Sequence, residues 1–104
     1  MGKLKAVVHR LAVDGADYSW EYRHPWFVQR EKSLRAISVR VTLDPGKHRE
    51  LILELSFRVP GLERNPSDAK IAAVVRDGIR GAREDGWDPE SRGRAFRYAL
   101  DGTD

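Results

Sequence analysis

The chain has no cysteine among its 104 residues. That removes disulfides and thiolate chemistry and fits a reducing compartment. No stretch approaches the roughly 18 apolar residues of a membrane span. His9 and Arg10 interrupt the apolar start MGKLKAVVHRLAV before it reaches signal-peptide length, and Ala6 stands where a myristoylation signal carries Ser or Thr. A cytoplasmic chain with no membrane partner is the expectation. His9, His24 and His48 lack the close spacing that places two imidazoles on one metal, and the acidic run Asp85, Asp88, Glu90 lacks the alternation and central glycine of a calcium loop. Phosphate-cradling glycine loops, dinucleotide fingerprints and serine nucleophile elbows are also missing. No catalytic residue, metal or cofactor is assigned on this basis, and an enzyme without a recognisable motif ranks third among the function classes.

What is present is charge of both signs: 19 basic and 16 acidic residues, a net of +3. Fourteen of the 19 are arginine, the better fork for phosphate or carboxylate, although GC-rich coding raises arginine equally well. Acids interspersed among the arginines weaken any attractive field, so the chain lacks the dense basic stripe of a committed nucleic-acid binder. Its length suits a single domain over 1–104, able to bury about two thirds of its unfolded surface.

The clearest local signal is RAISVRVTLDPGKHRELILELSFR at 35–58, two alternating runs around DPGKH. It reads as a hairpin. Its pattern sets Val41 opposite Leu51, Val39 opposite Leu53 and Ile37 opposite Leu55, which makes one face apolar. On the reverse face Ser38, Arg40 and Thr42 meet Ile52, Glu54 and Ser56, with Arg40 near enough to the acids for cross-strand pairing. Upstream, KLKAVVHRLAV and YSWEYRHPWFVQR read as two further strands joined around Asp14 and Gly15. Pro25 cannot donate to a ladder, so the second strand either lies at an edge or bends there, splitting into about 18–23 and 26–30.

After the hairpin, Asn65 caps an expected helix with Pro66 and Asp68 in its first turn, running to about Glu84. Ile71, Val74, Val75, Gly78, Ile79 and Ala82 share one stripe, which should lie on the hairpin's apolar face. Gly78 and Gly81 each cost about 1 kcal/mol against alanine in a helix interior, so close approach to the sheet is expected at the inward one. Gly86 then closes the helix in a left-handed conformation, Trp87 folds back onto the last turn, and Pro89 keeps the helix from resuming. Gly93 releases the chain into a last strand whose Phe96, Tyr98 and Leu100 alternate. The expected fold is α+β: an antiparallel sheet of about five strands with one long helix packed on one face, in the order β-β-β-β-α-β.

A lone helix covers one face of such a sheet, so some of Trp20, Tyr22, Trp26 and Phe27 complete the core and the rest are expected on the open face. The leading function is a non-enzymatic binding or protein-interaction module, homodimeric, using that face or an edge strand to meet a protein or small-molecule partner. Trp20, Trp26, Arg40 and Glu54 are its candidate binding residues, with Arg92 and Arg94 in the loop where Asp88 and Glu90 supply acids. The alternative is a nucleic-acid-binding protein with Arg76, Arg80 and Arg83 on the outer helix face against phosphates, opposed by their neighbours Asp77 and Glu84.

ISVRVTLDPGKHRELILELSF, NPSDAKIAAVVRDGIRGAREDGWDP and SRGRAFRY, spanning about 34–98, resemble a group of small bacterial proteins. In these a hairpin precedes a helix ending in a Gly-Trp-x-Pro turn and a last aromatic strand. They are similar to products of mobile integron gene cassettes. The resemblance implies the fold and carries no activity or functional residues with it.

Overall fold

The computed structural model describes residues 8–29, 35–44, 49–56 and 67–100, with the side chains of 24–29 and 35 excepted. Its elements are β1 (His9–Val13), β2 (Ala16–Gln29), β3 (Arg35–Leu43), β4 (Leu51–Ser56), α1 (Asp68–Glu84) and β5 (Phe96–Leu100). The strands form one sheet in sequence order, β1-β2-β3-β4-β5. Of the expected first strand, Val8 is described but precedes β1, and Lys3 to Val7 lie outside the described residues.

Turn chemistry explains the first hairpin. Asp14 and Gly15 both have positive φ, 51° and 84°, the pairing a two-residue type I′ turn requires. Among the described residues β1 pairs with β2 from Ala16 to Trp20, short of Pro25, which sits at a bend: the pairing to β3 shifts register between Tyr22 and Phe27. The bend does not divide β2 into two strands. Between β3 and β4 the register is the expected one, with Val41 on Leu51, Val39 on Leu53 and Ile37 on Leu55. All six are buried, in a core with Tyr18, Trp20, Val75, Ile79 and Trp87.

The helix is capped by Ser67, whose hydroxyl accepts from the Lys70 N–H at 3.2 Å. The cap thus falls two residues after the expected Asn65, which lies with Pro66 outside the described residues. Serine here is followed three residues on by the N–H it satisfies. The buried stripe is Ile71, Val74, Val75, Gly78, Ile79 and Ala82, as helical spacing requires. It packs on β4 and on both outer strands, β1 and β5, so the sheet curls around it. Both glycines, not one, mark close approach: a Cβ on Gly78 would stand 2.8 Å from Leu53 Cδ1, and one on Gly81 2.5 Å from the Tyr98 oxygen.

Gly86, at φ 114°, ends the helix. Its N–H donates to the Arg83 carbonyl at 3.2 Å and the Trp87 N–H to Ala82 at 2.9 Å, the paired bonds of a Schellman turn. The Trp87 indole is buried and donates to the Arg49 carbonyl at 3.1 Å. The returning chain is then laced to the start of β4: Arg49 N–H donates to the Pro89 carbonyl, Arg49 Nε to the Arg94 carbonyl, and Phe96 N–H to the Glu50 carbonyl at 2.8 Å.

That lacing corrects the expected sheet. The helix carries the chain back to the beginning of β4, so β5 leaves in β4's direction and pairs with it parallel. The sheet is mixed, with three antiparallel pairings and this parallel one. No described helix is long and apolar enough to cross a membrane.

Candidate interaction surfaces

The sheet face turned away from α1 carries Ser19, Glu21, Arg23, Ser38, Arg40, Ile52, Glu54 and Arg97, because their register partners on the other strands alternate with the core residues. Its charges satisfy one another. Arg40 Nη1 stands 3.7 Å from Glu21 Oε2 and Arg40 Nε 3.5 Å from Glu50 Oε1; the second is a charge contact without hydrogen-bond geometry, since that Nε is buried with no bonded partner. Glu54 pairs with Arg97 at 3.8 Å, not with Arg40. Arg23 Nη1 donates to the buried Ser38 hydroxyl at 3.2 Å, and Ser19 to Asp44.

Trp20, expected on this face or in the core, belongs to the core, 1% exposed on the helix side. It stacks on His9 with ring centroids 4.3 Å apart and meets Tyr22 edge-on. Tyr22 in turn donates its hydroxyl to Asp68 Oδ1 at 2.8 Å, at the helix start. The side chains of Trp26 and Phe27 lie outside the described residues. Trp20 and Arg40 are therefore on opposite faces and do not form one site.

In the return loop Asp88 bonds to its own backbone surroundings: Oδ1 accepts from the Glu90 N–H at 3.0 Å, and its carbonyl from Ser91 N–H and Oγ. It turns the loop and leaves Arg92 and Arg94 exposed, with neither in an ion pair among the described residues. Arg49, unmarked in the sequence, organises this loop; its guanidinium also lies 5.3 Å over the Phe96 ring.

The helix arginines are not an outward row. Arg80 grips Asp14 with two bonds of 3.1 Å, and Arg83 Nη1 donates to the Tyr18 hydroxyl at 2.7 Å. Arg80's bond holds the Asp14 carboxyl below the usual carboxylate range, with smaller contributions from the charges of Arg83 and Arg76. Two of the three arginines, both exposed, thus have partners across from α1, Arg80 on the β1–β2 turn and Arg83 on β2.

The outer edge of β5 remains. Phe96, Tyr98 and Leu100 pack against the core yet stay only partly buried. The Phe96 N–H points to β4, so alternation turns the N–H and C=O of Arg97 and Ala99 outward. No described strand pairs with them. The edge carries no proline or lysine; its guards against strand addition are its five-residue length and the charge of Arg97. Comparison with models of protein families, with curated proteins and with solved structures finds no match.

Proposed function

We propose that the protein is a non-enzymatic interaction module of the cytoplasm that pairs with a second copy of itself through β5. The observation that carries the reading is the outward-facing backbone of Arg97 and Ala99 beside three half-buried apolar side chains. An antiparallel pair of β5 strands with its two-fold axis at Tyr98 sets Arg97 opposite the partner's Ala99 and Phe96 opposite the partner's Leu100. Arg97 and the partner's Ala99 are then a hydrogen-bonded pair, and symmetry supplies the second. The long side chain meets the small one, and apolar meets apolar. Other registers put Arg97 against itself or leave outward N–H groups facing none.

The sheet face turned away from α1 supports this choice by contrast. Its arginines and glutamates already neutralise one another, and exposed ion pairs contribute little to association. The cassette resemblance supplies no residue roles, so the reading rests on geometry.

A five-residue edge buries less than the roughly 1,000 Å² of a stable interface, so dissociation in the range of about 10–100 μM is expected. Sedimentation equilibrium between about 10 μM and 1 mM tests it. Ala99→Pro removes an outward donor without touching the β4 ladder. It is expected to stay folded and monomeric. A wild-type chain that is monomeric throughout, or an Ala99→Pro variant that dimerises equally well, contradicts the reading.

A further inference from the structure

Away from β5, at the last turn of α1, a cleft of about 360 Å³ is lined by Val13, Asp14, Tyr18, Arg80, Arg83 and Glu84. Its polar wall holds the guanidinium groups of Arg80 and Arg83 and the carboxylates of Asp14 and Glu84. The buried Tyr18 oxygen accepts from Arg83 and anchors that guanidinium. Arg83 uses Nη1 on Tyr18 and keeps its other N–H groups; Arg80 uses Nε and Nη2 on Asp14 and keeps Nη1. Tyr18 is fully buried, so this anchor of Arg83 is fixed in place by core packing against Trp87, 6.0 Å between ring centroids.

The acceptor now in that field is Asp14, held by Arg80 and lowered in pKa by its neighbours. It is a replaceable one. The Asp14 side chain is 61% exposed and its partner Arg80 48% exposed, and such solvent-facing pairs are held weakly. A ligand carboxylate or a phosphodiester, each with a single charge, gives Arg80 no more than Asp14 already does. A phosphate monoester carries about −2 and three acceptor oxygens, enough to draw Arg80 off Asp14 while meeting Arg83. We infer that this cleft binds the phosphoryl group of a small phosphate monoester, with Arg83, anchored on Tyr18, as the fixed donor and Arg80 exchanging Asp14 for the ligand.

The test is titration of the full chain at low ionic strength with inorganic phosphate and with glycerol phosphate, followed by amide and arginine Nε shifts. Saturable binding in the millimolar range is expected, with shifts at residues 14, 18, 80 and 83. Arg83→Gln and Tyr18→Phe, the latter keeping the ring, should each weaken it about tenfold. Asp14→Asn should tighten it, because it removes the competing charge from a turn that asparagine accepts equally well. The inference is overturned by no saturation at 50 mM or so, by Asp14→Asn weakening the affinity, or by shifts away from the cleft. It is overturned also if a short single-stranded oligonucleotide binds at the same residues as tightly as the monoester. Circular dichroism of each variant separates lost binding from lost folding.

Discussion

Gly81 and Tyr98 touch where no side chain fits between them: a Cβ at residue 81 would lie 2.5 Å from the tyrosine oxygen and 2.8 Å from Cζ. The helix thereby rests directly on the strand that forms the sheet's open edge. Gly78 has the same relation to Leu53, whose Cδ atoms would lie 2.8 and 2.9 Å from a new Cβ. The two differ in freedom, since Leu53 is fully buried and Tyr98 is not.

Alanine at either glycine gains about 1 kcal/mol of helix propensity. At residue 78 the clash falls on a core side chain that cannot move away, and overpacking costs about 1–3 kcal/mol. Gly78→Ala is expected to be destabilising on balance in urea unfolding, and Leu53→Val added to it should recover part of the loss. Gly81→Ala is expected to cost less in stability, since the tyrosine can swing outward, but to weaken self-association by moving β5. Equal costs at the two positions would mean the helix does not sit as described.

Trp87 ties the helix end to Arg49. Trp87→Ala is expected to cost about 3–5 kcal/mol, and Trp87→Phe less, by roughly the unsatisfied Arg49 carbonyl and the lost ring volume. The loop 88–95 depends on the same contact, so amide exchange there should rise along with the loss of global stability. A neutral Trp87→Phe variant would remove the indole bond from the account.

Burial, and then the bond and charge of Asp68, raise the Tyr22 phenol well above its usual value. The folded chain therefore keeps this proton at pH values where the unfolded chain releases it. Stability from Tyr22 is fully present below about pH 10, the unfolded value, and falls as pH rises beyond it. Tyr22→Phe should unfold with a shallower alkaline slope than wild type, read as midpoint denaturant concentration between pH 9 and 11 or so. The same variant loses the Asp68 bond at neutral pH, a cost of about 1 kcal/mol.

Asp14 behaves in the opposite sense. Its carboxyl is lowered chiefly by the Arg80 bond, so the pair's contribution is present above about pH 4, the unfolded value, and fades as pH falls through the folded one. A carbon-detected titration of Asp14 should move up in Arg80→Gln. An unchanged titration would mean that Arg80 does not hold the carboxylate.

Much of this fold was legible because its signals are local. The 35–58 pairing follows from alternation around a turn sequence, and the buried stripe of α1 from its spacing, residue for residue. Gly86 and Trp87 announced the helix end because a left-handed residue and an apolar follower are both needed there. The direction of β5 was hidden, since Phe96, Tyr98 and Leu100 alternate alike in parallel and antiparallel strands; the bonds that set it run from Arg49 and Glu50, some 45 residues away. Spacing also placed Arg80 and Arg83 on one helix flank but could not say what lies across from them. Their partners Asp14 and Tyr18 are 66 and 65 residues distant, beyond any periodic pattern. Asn65 was the expected cap because Pro66 and Asp68 follow it, whereas the cap is fixed by which hydroxyl meets a free N–H, here that of Ser67.

The self-pairing of β5 is tested most directly by a single cysteine at its two-fold axis. The chain has no cysteine of its own, and the proposed pairing sets Tyr98 opposite the partner's Tyr98 in a non-hydrogen-bonded pair, about 4.5 Å between Cα atoms, within disulfide reach. Under mild oxidation, Tyr98→Cys is expected to cross-link to a dimer on non-reducing electrophoresis. Arg97→Cys, facing the partner's Ala99 instead of itself, is expected to remain monomeric there. A Tyr98→Cys chain that sediments as a dimer but does not cross-link, or an Arg97→Cys chain that cross-links as readily, would contradict the pairing.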